Sequence, residues 1–267
     1  MLRVFITGAS SGLGEALTRE FAARGARIGL LARREPALHA LAASLPNASL
    51  HRVYPVDVND HVSLAAAAAD FVCQAGGIDI VIANAGISYG TLTERPEDLE
   101  VFDAILRTNL LATVATFAPF IETMRAQVAE GGGQQAPTLV GIGSVAGIRG
   151  LPGAEAYSAS KAAVISYCES LRVELRRHRI RVVTIAPGYI DTPMTQVNTY
   201  RMPFLMSAEH FARRAAELIL AGRSYAVIPW QMRGVSWLLR LLPNWLYDLV
   251  MARAPHKVSY RERAGGE

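Results

Sequence analysis

Cysteine is nearly absent from this 267-residue chain, which has only Cys73 and Cys168. Two such residues build no disulfide framework, and neither has a partner at metal-ligand spacing, so no metal site is expected. Long apolar runs are missing as well. No stretch reaches the roughly 18 uninterrupted apolar residues of a spanning helix. The N-terminus has Arg3 and then a short apolar run before a glycine-rich turn, well under the roughly 7–15 apolar residues of a signal core. A reducing cytoplasm without a cleaved leader is the expected location. Charge of one sign is also scarce. The balance of 27 Lys and Arg against 23 Asp and Glu leaves +4, too diffuse for nucleic acid to be an expected partner.

What is present is apolar material, 51% hydrophobic against 19% charged. That composition excludes disorder for most of the chain and supplies a sizeable core. Length over 150 gives about 1.8, so one large domain or two small ones are allowed. No repeat of about 20–50 residues recurs.

Short β-branched runs alternate with longer helical stretches, which predicts an α/β domain: a Rossmann-type, doubly wound parallel sheet with helices on both faces. Strands are expected at 3–7, 27–32, 49–56, 78–83, 138–142, 181–186 and 225–228. Helices are expected at 15–24, 36–44, 64–75, 155–177 and 208–221. A long helix over 96–129 is expected to be interrupted near Pro119. The glycine-rich stretch 130–137 reads as a loop, too short for a domain linker.

Between the first strand and its helix lies Thr7-Gly8-Ala9-Ser10-Ser11-Gly12-Leu13-Gly14. A glycine-rich strand-to-helix turn lets backbone approach a pyrophosphate and aims helix N–H groups at it. The spacing is Gly-x-x-x-Gly-x-Gly, not the commonest dinucleotide fingerprint, and a plain tight turn is the other reading. An acid at the end of the second strand would mark NAD. Arg33 and Arg34 stand there instead, and a guanidinium pairs bidentately with a 2′-phosphate. NADP(H) is therefore the expected cofactor, with NAD(H) the second choice. Ser10 and Ser11 offer hydroxyls to the same phosphate. The alternative is that both arginines are ordinary surface residues.

Asp57 is placed to accept from an adenine amino group, with Val58 against the ring; a helix cap is the competing role. After the fourth strand, Asn84-Ala85-Gly86 permits close backbone approach, and Asn84 suits either the sheet edge, the cofactor ribose or a simple turn.

The fifth strand runs into Ser144, and the next helix carries Tyr157 and Lys161 at i and i+4, on one face. A phenol with a pKa near 10 shuttles protons poorly at pH 7 unless a cation stabilises its phenolate. Lys161 is expected to lower the pKa of Tyr157, and Ser144 to polarise a carbonyl. Asn109, inside the long helix, is expected either to bind a water that relays protons from Lys161 or to satisfy a kink.

This assembled set resembles the short-chain dehydrogenase/reductase superfamily, in its short single-domain branch. The matching pieces are the turn from Thr7 to Gly14, Asn84-Ala85-Gly86, Asn109, Ser144, Tyr157 with Lys161, and Pro187-Gly188 with Thr192. They occur in the family's order across residues 1–230. The resemblance implies that Asn109, Ser144, Tyr157 and Lys161 form a catalytic tetrad, with Tyr157 and Lys161 also binding the cofactor, Lys161 at its ribose. It also implies that Pro187, Gly188, Tyr189, Ile190 and Thr192 contact the nicotinamide half, and that the chain forms homodimers or homotetramers. Ala83 departs from a frequent second asparagine. The glycine turn lacks the Lys or Arg of many NADP-preferring members, so the NADP reading rests on Arg33 and Arg34.

The expected activity is hydride transfer between a nicotinamide and a small, lipophilic carbonyl or secondary alcohol. Met194, Met202, Phe204 and Met206 suit an adaptable apolar pocket; lid residues packed on the core are the alternative. A cofactor-sensing binding protein on the same fold is the rival class. Residues 231–267 read as an extension and not as a separate domain. Within it, Val235–Met251 is apolar and tryptophan-rich, flanked by Arg233, Arg240, Arg253, Lys257, Arg261 and Arg263. A cap on the substrate cleft, an oligomer interface, and peripheral membrane contact or scaffolding through 233–263 all stay open.

Overall fold

In the first strand β1 (Arg3–Thr7), Val4 and Ile6 point to one face of the sheet and Phe5 to the other, and all three are fully buried. Both faces must therefore be covered, as in a parallel sheet. In the computed structural model, which describes residues 1–131, 135–198 and 200–252, they are.

The chain continues through α1 (Gly12–Ala23), β2 (Arg27–Ala32), α2 (Glu35–Ser44), β3 (Arg52–Pro55), α3 (His61–Ala75) and β4 (Ile80–Ala83). Next come α4 (Leu99–Leu106), α5 (Ala112–Ala129), β5 (Thr138–Ile142), α6 (Glu155–Leu175) and β6 (Arg181–Pro187). A small excursion follows, made of β7 (Ile190–Asp191), α7 (Pro193–Gln196) and β8 (Met206–Ser207). The chain then runs through α8 (Ala208–Leu220), β9 (Tyr225–Ile228), α9 (Trp230–Leu241) and α10 (Asn244–Met251).

Seven strands form one parallel sheet in the order β3-β2-β1-β4-β5-β6-β9. Leu17, Phe21, Leu38 and Phe211 from α1, α2 and α8 pack on one face. Phe71, Phe117, Phe120 and Val164 from α3, α5 and α6 pack on the other. The order of strands reverses between β1 and β4, and at that switch point the C-terminal ends of the strands open a crevice. Gly8, Asn84, Ser144, Gly188, Arg33 and Asp57 all stand just beyond the ends of β1, β4, β5, β6, β2 and β3.

Several expected boundaries move. A 3-10 turn, Ala48–Leu50, takes the front of the expected third strand. The long helix breaks at a π-turn, Arg107–Leu111, and not at Pro119, which is accommodated within α5. An extra residue in that turn re-aims Asn109 into the protein, where it is fully buried. The segment Pro96–Ala129 is, by length and composition, apolar enough to cross a membrane, but Phe117, Phe120 and Met124 are spent in the core. Residues 132–134 of the expected loop lie outside the described residues.

Cys168, deep under β5, has its thiol pushed up to about 11 by burial. It is an inert packing residue.

Candidate active site

The glycine turn is braced from the side. Gly8 adopts φ +68° and Gly12 φ +57°, conformations that a Cβ would strain. Asn84 Nδ2 donates to the Thr7 carbonyl at 3.0 Å and to the Gly8 carbonyl at 3.4 Å, while Thr7 Oγ1 accepts from the Asn84 and Ala85 amides. Asn84 therefore locks the switch-point loops together. A Cβ on Gly14 would collide with the Gly8 carbonyl and lie 2.6 Å from Asn84 Nδ2.

Ser11 caps α1 without a side-chain hydrogen bond to the first turn. The N–H groups of that turn are thus left for an anion, and the helix dipole favours negative charge there. Thr192 stands opposite, its side chain 3.5 Å from where a Gly12 Cβ would be. A bare-backbone cradle with open helix N–H groups fits a pyrophosphate.

At the next strand ends, Arg34 Nη2 donates to the Ser10 carbonyl at 3.2 Å and to Ser10 Oγ at 3.3 Å. Arg33 Nη1 lies 3.9 Å from Asp57 Oδ2 and is largely exposed. The structure brings Ser10, Arg33, Arg34 and Asp57 to one corner of the crevice. Asp57 is not the helix cap: Asp60 caps α3, accepting from the Ser63 amide at 3.1 Å. Asp57 Oδ1 instead accepts from Asn59, and Val58 is buried beside it.

Ser144 leaves β5 in extended conformation and caps a 3-10 turn, its Oγ accepting from Ala146 N at 3.1 Å. It shares a hydrogen bond with the Tyr157 hydroxyl. One turn further along α6, Lys161 Nζ donates to the Ile142 carbonyl at 2.8 Å and sits 5.9 Å from the centre of the Tyr157 ring. Gly147 lets the serine loop approach α6: a Cβ there would come within 2.6 Å of the Lys161 backbone.

Burial dominates the electrostatics. It raises the Tyr157 phenol above its usual value, and the Ser144 hydrogen bond pulls it only partly back. It lowers Lys161 to about 8. Lys161 was expected to depress the phenol. In the free protein burial is the larger effect on the phenol, while the Lys161 ammonium rests on the Ile142 carbonyl one helical turn away.

Asn109 is a kink-holder by its side chain. Oδ1 accepts from Ile87 N at 2.8 Å, and Nδ2 donates to the Ile87 carbonyl at 3.0 Å and to Ser160 Oγ at 2.9 Å. Both amide N–H bonds are spent. Gly86 lies between Asn109 and Lys161; a Cβ there would stand 3.1 Å from Asn109 Oδ1 and 3.6 Å from Lys161 Nζ. Asn109→Ala is expected to cost about 2–4 kcal/mol by orphaning these buried groups. A thermal melt should then fall by roughly 5–12 °C.

On the nicotinamide side, the Gly188 amide donates to the Ile228 carbonyl at 2.7 Å, and Met232 would meet a Gly188 Cβ at 2.8 Å. Pro187 ends β6, and Ile190 is buried in β7. The Thr192 amide donates to Thr195 Oγ1 at 3.1 Å, which fixes the start of α7.

One residue near the site, Tyr200, belongs to none of the sequence motifs. Tyr200 packs edge-on to Tyr189, with ring centres 6.3 Å apart. Burial, together with Tyr189 and Tyr157, pushes Tyr200 up to about 12, which marks it as a neighbour of Tyr157. The aromatic spacing among the methionines of that segment was the available signal. Met206, by contrast, pairs with Ile190 and packs on the main core, and Phe204 is half exposed. A separate groove of 520 Å³ runs past Gly12 and Thr192 along the outer side of α1 without reaching Ser144, Tyr157 or Lys161.

These features define a nicotinamide-dependent oxidoreductase site on a doubly wound sheet. The short chain dehydrogenase family model matches residues 3–202, and the chain belongs to that family. An uncharacterized oxidoreductase of Myxococcus xanthus is 37% identical over 252 residues, covering 93% of this chain and 95% of the relative. One of Mycobacterium tuberculosis is 38% identical over 234 residues, covering 85% and 88%. Among solved structures, the 3-ketoacyl-(acyl-carrier-protein) reductase of Brucella melitensis, complexed with NADH, superposes with a TM-score of 0.75. It is 25% identical and covers 85% of this chain and 96% of that one.

Proposed function

We propose that the protein is an NADP(H)-dependent reductase or dehydrogenase acting on a lipophilic carbonyl or secondary alcohol. The observation that carries this reading is the hydrogen-bonded Ser144–Tyr157 hydroxyl pair with the buried Lys161 one helical turn away, at the same sheet end as the glycine cradle. When bound, the nicotinamide supplies or accepts the hydride. The Ser144 hydroxyl donates a hydrogen bond to the substrate oxygen and orients it. Tyr157 Oη gives that oxygen its proton in reduction and takes it back in oxidation. The Lys161 ammonium stabilises the phenolate left behind, and Asn109 holds the kink that keeps Ile87 and Ser160 in place around it.

For the cofactor, Gly8, Ser11, Gly12, Leu13 and Gly14 would hold the pyrophosphate, and Asp57 with Val58 the adenine. Asn84, Ala85 and Gly86 would border the ribose. Pro187, Gly188, Ile190 and Thr192 would border the nicotinamide. Ser10, Arg33 and Arg34 would take the 2′-phosphate. Tyr189, Tyr200 and the half-buried Met194 and Met202 support a lipophilic substrate.

The test is a pair of titrations with NADPH and NADH. Replacing Arg33 and Arg34 by alanine should weaken NADPH at least tenfold, about 1.4 kcal/mol, and change NADH less than twofold. Equal losses for both cofactors would refute the phosphate assignment.

A further inference from the structure

The C-terminal helices carry two apolar faces where a helix at a domain surface needs one. The inner face is used. Met232 packs with Ala186 and Val227, and Ser236 and Tyr247 are buried. Arg149, five residues beyond Ser144, pins the junction between α9 and α10. Its Nη1 donates to the Leu239 and Leu242 carbonyls at 2.6 Å each, and its Nη2 donates to Asn244 Oδ1 at 2.9 Å. Its guanidinium lies 4.0 Å over the Tyr247 ring. The apolar segment 235–251 is thus divided between two helices, broken at Leu242-Pro243 and fastened to the loop that carries the catalytic serine.

The outer face points to solvent. Trp230, Trp237 and Leu241 recur at i, i+7 and i+11 along α9, with Leu238 beside them, and Trp245 and Leu249 at i and i+4 on α10. The three tryptophans are 77%, 68% and 70% exposed, and they are all the tryptophan the chain contains. Arg233 and Arg240, seven residues apart, flank the stripe, and Asp248 is the one acidic residue of the two helices.

Under α9 runs a groove of 600 Å³ lined by Arg233, Arg240, Trp237, Ser236 and, from α6, Glu169 and Arg172. Ser236 Oγ is buried there and has no hydrogen-bond partner. The sequence that follows adds Arg253, Lys257, Arg261 and Arg263 against Glu262 and Glu267; those residues lie outside the described ones.

We propose that this face docks on the surface of an anionic lipid bilayer. Indole rings are amphipathic and favour the headgroup level, while arginines on the flank pair with lipid phosphate. A second copy of the chain is the weaker occupant. A two-fold contact would set this positive face against itself.

Because every tryptophan lies on the patch, intrinsic emission of the unmodified protein reads its environment directly. The experiment mixes the full chain with vesicles of phosphatidylcholine alone or with about one third phosphatidylglycerol. Emission should shift to the blue and the protein should sediment with the anionic vesicles. Partition should fall at least tenfold with neutral vesicles or at about 0.5 M salt. W230S/W237S/W245S should lose at least tenfold in sedimentation while keeping its circular dichroism spectrum and melting temperature. Unchanged emission with no sedimentation would overturn the proposal, as would equal binding to neutral vesicles. A wild type that ignores vesicles, together with a triple variant of halved molecular mass, would assign the face to a dimer contact instead.

Discussion

Tyr157→Phe is expected to lower kcat for carbonyl reduction by roughly a thousandfold, within the range set by loss of a positioned proton donor. Cofactor affinity should change less than twofold. The phenyl ring keeps the packing of this half-buried position, and only the hydroxyl shared with Ser144 is lost. Burial holds the phenol above its ordinary value, so Tyr157 stays protonated through the neutral range and is ready to donate. The pH profile should carry a second signature. Lys161 titrates at about 8, so reduction should fall as pH rises through that value and the phenolate loses its cation. Stopped-flow turnover of wild type and variant across pH 6–10 would check both. A variant within tenfold of wild type would remove Tyr157 from the chemistry.

Lys161→Met is expected to make the protein more stable and inactive at once. The ammonium is buried and makes one hydrogen bond, to the Ile142 carbonyl. Its folded pKa of about 8 lies below the reference value of 10.5. Below pH 8 both folded and unfolded chains carry the proton, and the full penalty for a buried charge is present. Between pH 8 and 10.5 the unfolded chain holds more protons than the folded one, so stability rises with pH. Methionine has similar volume and no charge.

At pH 7 the variant should therefore melt higher, by about 2–8 °C, while activity drops at least a hundredfold. Near pH 10.5 the difference in melting temperature should close. Scanning calorimetry at the two pH values decides it; a variant that melts lower at pH 7 would mean the amine contributes more by its bond than it costs by its burial.

The sheet and its flanking layers were legible in the sequence because strand and helix periods are local and the glycine turn is contiguous. Tyr157 and Lys161 were legible for the same reason, being one turn apart on one helix. Less visible was anything set by a long-range contact. The break at Asn109 could not be distinguished from one at Pro119, since what makes the π-turn is a buried amide bonded to Ile87 and Ser160, and Ser160 lies 51 residues away.

Arg149 reads as a loop arginine until α9 and α10 fold back over it. Asn84 reads as a sheet-edge, ribose or turn residue alike until its amide is seen to hold the Thr7 and Gly8 carbonyls. The net direction of the Tyr157 shift is hidden from the sequence for a related reason. Helical spacing gives proximity to Tyr157, whereas the pKa shifts follow burial, which depends on the whole packed interior.

The most direct test of hydride transfer at this site uses NADPH deuterated at C4 of the nicotinamide, a panel of prochiral lipophilic ketones such as acetophenone, and mass spectrometry of the product. The account predicts one deuterium on the carbinol carbon of at least one alcohol, formed by the wild type and lost with Tyr157→Phe. Bound cofactor with no label in any product would contradict it.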